Sequence, residues 1–246
     1  MANQACGNCE TPLNAEFCQR CGQRRAREIS IRRILREGLL RVVDLDAGFL
    51  HTFRELSVSP GAFIRHYLEG KRQPCTNPLK YCFIVITIYA LAINILNVDF
   101  GNTLDLDAQE REVFHIIHGV LAYLMFLVLF PVAAVQRWLF RETRWTFSET
   151  YVFGLFVVGH GSWIGVMMAV GGLLQSTSGI IVLAVAQLAY LLWVMRGFYS
   201  PKGRPPVIRA VLVFATTSIC SNLLALAAGN MIAWFGLVEP LSGSIA

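Results

Sequence analysis

Residues 79–98 read LKYCFIVITIYALAINILNV, with Lys80 as the one charged side chain. A helix needs about 20 apolar residues to cross a hydrocarbon core of about 30 Å, so this stretch is long enough to span a bilayer. Similar stretches follow at 116–136, 148–172, 177–195 and 207–229. The expected fold class is an all-α integral membrane protein with about five transmembrane helices. Composition points the same way: 246 residues that are 55% hydrophobic and 15% charged, with a mean hydropathy of +0.52, exclude an ordinary soluble domain.

The charges between the spans predict an orientation. The loop after the first span holds Asp99, Asp105, Asp107, Glu110 and Glu112 against Arg111, whereas the second is followed by Arg137, Arg141 and Arg144. No charge follows the third span; Arg196, Lys202, Arg204 and Arg209 follow the fourth, and Glu239 alone follows the fifth. Lys and Arg alternate sides in step with five crossings, which places the N-terminus in the cytosol and the C-terminus on the periplasmic side of an inner membrane. Trp138, Trp145 and Tyr199 are expected at the inner interface as anchors. With no apolar segment after Met1, no cleaved signal is expected.

The net charge of +5 sits in the first third: residues 1–80 carry 13 Lys and Arg against 8 Asp and Glu, and residues 81–246 carry 8 against 8. Beside a membrane domain, such a segment is expected to meet anionic lipid and not nucleic acid. Residues 30–42 have a helical pattern, with Ile31, Ile34, Leu35, Leu39 and Val42 on one face and arginines mainly on the other. Arg32, Arg33, Arg36, Arg41, Lys71 and Arg72 are the candidate membrane-surface residues. Gly48 to Leu56 forms a second short amphipathic segment. A third helix is expected to start with Ser59 as N-cap and Pro60 at its first position, to bury Phe63, Ile64, Tyr67 and Leu68, and to close at Gly70.

Ahead of these lie Cys6, Cys9, Cys18 and Cys21, two Cys-x-x-Cys knuckles. Such pairs let four thiolates converge on one ion, and a reducing cytosol favours metal ligation over disulfides. The set is expected to hold a structural Zn2+, with a rubredoxin-like iron as the alternative, because four thiolates leave no position open for catalysis. Gly7 and Gly22 are expected to supply positive φ at the knuckle turns. Cys75, Cys82 and Cys220 read as small apolar fillers. The division is therefore 1–28 metal module and basic linker, 29–78 cytosolic or interfacial helices, and 79–246 membrane domain.

The knuckles ending in Cys21, Gly22 and Gln23, followed by Asp46, Gly48, Phe49, Thr52, Leu56, Pro60, Gly61, Tyr67, Gly70, Lys71, Arg72 and Pro78, resemble the bacterial membrane-protein family called domain of unknown function 3667. The resemblance covers residues 6 to about 80 and departs from the pattern at Cys75, where the family often has an aromatic residue. It implies a zinc-ribbon head on an integral membrane protein, with no assigned activity.

Within the spans, His160 lies between Gly159 and Gly161, and ionisable groups at membrane depth often mark a pathway. It is the candidate intramembrane polar site; a hydrogen bond to a neighbouring helix is the simpler expectation. Gly161 and Gly165 form a Gly-x-x-x-Gly pair that predicts close packing within the chain or in a homo-oligomer. His115 and His118 are a weak metal pair beside the acidic loop, Asp44 and Asp46 an incomplete calcium loop, and Glu149 an interfacial carboxylate beside Arg144. There is no phosphate-binding glycine loop, nucleophile elbow or His-Glu-x-x-His motif. The expected function is non-enzymatic: a multi-pass membrane protein whose zinc head binds a cytosolic partner or organises an assembly. The alternative is a small-molecule or lipid transporter using a polar cavity near His160 and Asn94.

Overall fold

The computed structural model describes residues 4–13, 15–23, 25, 30–31, 47–98, 108–199 and 206–234, of which 4, 47, 108–122 and 229–234 are described by their backbone only. Two short strands, β1 (Gln4–Ala5) and β2 (Pro12–Leu13), pair antiparallel around the first cysteine knuckle. The rest is helical: α1 (Ala47–Val58), α2 (Pro60–Leu68), α3 (Pro78–Ile95), α4 (Ala108–Leu139), α5 (Phe147–Val170), α6 (Thr177–Tyr199) and α7 (Val207–Trp234), with a 3-10 turn at Leu173–Gln175.

Local signals set these boundaries. Pro60 and Pro78 stand in the first turns of α2 and α3, where a missing N–H costs nothing. The Asn77 side chain caps α3 by accepting from the N–H of Leu79 at 2.9 Å. Ser59 is the N-cap residue of α2, but its hydroxyl makes no capping bond. Gly70, at φ 110°, turns the chain out of α2, and the Lys71 N–H bonds back to the His66 carbonyl at 2.9 Å. Thr146 and Glu149 form a capping box at the start of α5, so Glu149 serves its own helix and not Arg144.

Among the described residues, α3, α5, α6 and α7 are long and apolar enough to cross a membrane. The remaining expected span lies on α4, where the apolar stretch with described side chains is Tyr123–Leu139. Helix α5 is central, with 61% of its span buried inside the molecule against 11% for α7. So little burial on so apolar a helix, with Ile208, Val211, Leu212, Ile219, Leu223 and Leu226 all exposed, fits a lipid-facing surface. The chain is a helical, multi-pass membrane protein.

Glycines set the contacts of α5. A side chain at Gly159 would stand 2.9 Å from the Cys82 Cα of α3, one at Gly165 would strike the Tyr89 ring, and one at Gly154 would strike Leu129 of α4. These glycines are therefore used on the chain's own helices. Cys82 is fully buried in that contact, as a small filler should be.

The two ends of the bundle differ. At one, Arg65 of α2 donates to the carbonyls of Gly197 and of Phe198 (2.6 Å), satisfying the C-terminus of α6. Arg144 pairs with Glu69 there, and Arg209 with Glu142. The Glu142 carboxyl is held below its usual range, first by a backbone N–H and then by Arg209. At the other end Ile93, Val98, Met168, Ala169 and Leu174 form a separate apolar cluster, and residues 91–98 and 168–179 carry no charge.

Two expected interfacial anchors are packed instead inside the charged end. Trp145 is buried against Phe198, and Tyr199 stacks on Phe140 at 3.7 Å while accepting a hydrogen bond from Gln136. Trp138 is exposed, as an anchor should be. The sequence pattern could not separate these cases, because both kinds of aromatic residue lie at helix ends.

Candidate metal centre

The two knuckles fold alike. In the first, the Cys6 N–H bonds to the Thr11 carbonyl and the Glu10 N–H to the Cys6 carbonyl, both at 2.8 Å. In the second, Cys18 bonds to Gln23 at 2.8 Å and Gly22 to Cys18 at 2.9 Å. The residue after each second cysteine takes positive φ: Gly22 at 70° and Glu10 at 60°. The turn of the first knuckle is thus made by Glu10 and not by Gly7, and an L-residue pays about 1–2 kcal/mol for that conformation. Gly7 has a different reason to be glycine, since a Cβ there would stand 3.2 Å from the Gly70 carbonyl oxygen.

The four sulfurs lie within 4.8 Å of one another, with Cys6 to Cys21 at 3.6 Å and Cys9 to Cys18 at 3.5 Å. A disulfide needs about 2.05 Å, and all four are free thiols. Sulfurs at the corners of a tetrahedron around zinc, each about 2.3 Å from the metal, are ~3.8 Å apart, so the cluster needs only small shifts to hold such an ion, the two closest pairs opening slightly. Their acidities show why a cation suits them. Hydrogen bonds from the Thr11 hydroxyl and backbone draw Cys9 down to about 6. Cys21 is pushed up to about 11: a backbone hydrogen bond at Gln23 lowers it, but burial and the Cys9 and Cys6 sulfurs outweigh that. A first thiolate opposes ionisation of its neighbours until a positive ion joins the cluster.

The module is fastened to the helices behind it. Gln23, 4% exposed, donates from Nε2 to the Gly70 carbonyl at 2.7 Å and accepts at Oε1 from the Arg72 N–H at 3.0 Å. The second knuckle therefore reads the turn between α2 and α3 in both directions. That turn is itself held by the Thr76 N–H donating to the buried Thr52 hydroxyl of α1 at 3.0 Å. Behind it, Phe49 of α1 packs on Tyr81 at 5.2 Å, while Phe63 and Tyr67 of α2 meet Phe156 of α5 edge-on at 5.5 and 5.2 Å.

Residues 46–90, called here the DUF3667 segment, match the model of the DUF3667 family. The matching family is described as a protein of unknown function. The match bears out the resemblance across α1, α2 and most of α3, while the cysteine module lies outside the matched residues and docks onto them. Searches of curated proteins and of solved structures found no match to the chain.

Of the candidate surface cations, Arg32, Arg33, Arg36 and Arg41 lie outside the described residues, as do Asp44, Asp46 and the side chains of His115 and His118. In the DUF3667 segment, Arg72 lies over the Tyr67 ring at 5.6 Å and donates from Nε to the Tyr67 carbonyl at 3.3 Å. Lys71 is exposed beside it.

His160 is 8% exposed and sits where the DUF3667 segment meets α5. Its Nδ1 lies 2.7 Å from the Tyr81 hydroxyl and its Nε2 lies 3.3 Å from the Ser57 hydroxyl. Since Ser57 donates to the Phe53 carbonyl at 2.8 Å, its oxygen is free to accept. The protons then order themselves: Tyr81 O–H to Nδ1, Nε2–H to Ser57, Ser57 O–H to Phe53. The Phe53, Tyr81 and Tyr190 rings surround the imidazole at 5.3, 6.3 and 5.5 Å. Asn94 is exposed and donates to the Ala90 carbonyl of its own helix. On its Ser57 and Tyr81 side His160 is packed against the DUF3667 segment. Sequence periodicity missed this because α1 reads as a surface helix, and nothing in it says that Ser57 reaches a histidine on α5.

Replacing Gln23 with leucine leaves the Gly70 carbonyl and the Arg72 N–H unpaired beneath the head. A loss of about 1–3 kcal/mol is expected, seen as faster hydrogen exchange at residues 70–72 without loss of metal.

Proposed function

We propose that this is a non-enzymatic, multi-pass inner-membrane protein whose zinc-bound head is fixed on the DUF3667 segment and offers a cytosolic surface to a protein partner. The observation that carries the reading is the buried Gln23 link, because it turns a small metal module into a rigid extension of the membrane body. Bound zinc supplies cross-linking of the two knuckles, and four thiolates leave it no site for substrate. The second knuckle presents the exposed side chains of Phe17, Gln19 and Arg20. Aromatic residues and arginine are both enriched at protein interfaces. His160 has both ring nitrogens engaged inside the chain, which supports a structural role over a transport site.

The test is a photocrosslinking residue at Gln19 in intact cells. A covalent adduct with a cytosolic protein, lost on Phe17→Ala, is expected. The same adduct with Phe17→Ala, or none at all, overturns the reading, and an adduct of twice the chain's mass replaces the partner with a second copy. A phosphatase fused after Ala246 should be active in the periplasm; a well-expressed but inactive fusion removes the proposed orientation.

A further inference from the structure

Helix α1 meets the membrane body at a single level. Phe49, Phe53 and Ser57 cover two turns of α1, about 12 Å at the rise of a helix, yet all three touch the hydrogen-bonded pair of Tyr81 and His160. The helix therefore lies across α3 and α5 and not along them. That level is well below the charged end. His160 follows Glu149, the one carboxylate of α5, by eleven residues or about 16 Å. The Tyr190 ring, 5.5 Å from His160, precedes Arg196, the one cation of α6, by six residues or about 9 Å. Half of a hydrocarbon core of about 30 Å is about 15 Å, so α1 lies between the headgroups and the midplane.

The sides of α1 are sorted to match. Toward the charged end, the Thr52 hydroxyl accepts from the Thr76 N–H, and burial, with the Glu55 charge after it, pushes the neighbouring Cys75 thiol up to about 11. Toward the midplane, Phe53 meets Trp163 edge-on at 5.4 Å. Outward, Leu50, Arg54 and Val58 stand four residues apart on one exposed face, with Leu50 71% and Val58 67% exposed. On α5, Trp163 shares its stripe with Met167 and Val170, both exposed, so the outer side of α1 adjoins a lipid-facing wall.

We propose that α1 is an in-plane membrane helix: Leu50, Phe53 and Val58 lie among the acyl chains of the leaflet at the charged end, and Arg54 reaches from between them to the lipid phosphates. Such helices bury an apolar side about 5–10 Å into the headgroup boundary, and arginine can leave its apolar stem there while its charge stays wet. A protein outside the bilayer does not reach a face at this depth. A second copy related by a two-fold axis through the face would set Arg54 against Arg54, whereas phosphate complements it. This contact depends on the membrane spans and not on any partner of the head.

The test uses the full chain in nanodiscs of equal parts phosphatidylcholine and phosphatidylglycerol, with benzoylphenylalanine in place of Leu50, Val58 or Gln19. Leu50 and Val58 are exposed, so neither replacement disturbs the core. On irradiation, positions 50 and 58 should gain the mass of one phospholipid, and position 19 none. Alkaline hydrolysis of the adduct peptides should leave a fatty acid attached, which marks insertion into an acyl chain. One cation near the surface favours an anionic lipid about fivefold, so Arg54→Gln should lower the ratio of phosphatidylglycerol to phosphatidylcholine in the adducts by about that factor. No lipid adduct at positions 50 and 58, a glycerophosphate left after hydrolysis, or adducts of twice the chain's mass overturn the proposal. An unchanged lipid ratio in Arg54→Gln overturns the phosphate contact.

Discussion

Cys18→Ser combined with Cys21→Ser should strip the protein of its metal and undock its head. The wild-type chain, purified without chelator, should carry about one zinc per molecule by elemental mass spectrometry, and the double variant less than about a tenth of that. Structural zinc sites of this kind contribute about 10–16 kcal/mol of apparent binding free energy, and the module has almost nothing else to fold on: its apolar cluster is Cys6, Leu13 and Cys18. With two ligands gone, the Gln23 amide is no longer presented to Gly70 and Arg72, so hydrogen exchange at residues 70–72 should rise as it does in Gln23→Leu. The two variants differ in the other readout, since Gln23→Leu keeps its metal. The helices should be unaffected, because the packing of α1 and α2 on α5 and α6 does not involve the cysteines, and far-UV circular dichroism should remain near wild type. Full metal retention by the double variant would remove the metal centre, and iron in place of zinc would change its identity without changing the fold argument.

The membrane helices were legible because their signal is additive. Each apolar stretch is long enough to be read from one sequence, and each falls on a helix. The cysteine quartet was legible for a similar reason: ligand type and spacing are local. What could not be read is where the segment between them goes. Residues 47–68 have the pattern of surface helices, and α2 does bury Phe63, Ile64 and Leu68, but periodicity specifies a face and not its partner. The partner is fixed by single residues: Ser57 on His160, Arg65 on the end of α6, and Gln23 on the turn at Gly70. Gln23 had entered only through the family resemblance, and Gly70 also as the close of its helix; the hydrogen bond between them could not be read from either. Glu10 carried no signal, because glutamate is an uncommon choice for positive φ and nothing in the sequence marks it.

The largest effect expected from one atom group lies at Gly61. Helix α2 crosses α6 there with backbone against backbone: a Cβ on Gly61 would stand 2.5 Å from the Gly197 carbonyl carbon, the Phe198 nitrogen and the Val194 oxygen. These atoms belong to helical backbone and cannot rotate aside, so the two helices must separate. Separation also pulls Arg65 from the carbonyls of Gly197 and Phe198, exposing the end of α6 that it satisfies. Gly61→Ala should cost about 3 kcal/mol, the upper end of ordinary overpacking, and Gly61→Leu more. The expected readouts are a lower melting temperature in detergent and rapid proteolysis between α1 and α3, with α3 to α7 still intact. Gly161→Ala is the matched control, because its new methyl meets only the Tyr190 ring at 4.0 Å and should leave stability unchanged or slightly raised. Equal melting temperatures for Gly61→Ala and Gly161→Ala would mean that α2 does not lie on α6 in the membrane. The DUF3667 segment would then be a tethered surface element, and the rigid path from metal to membrane core would be broken at its middle link.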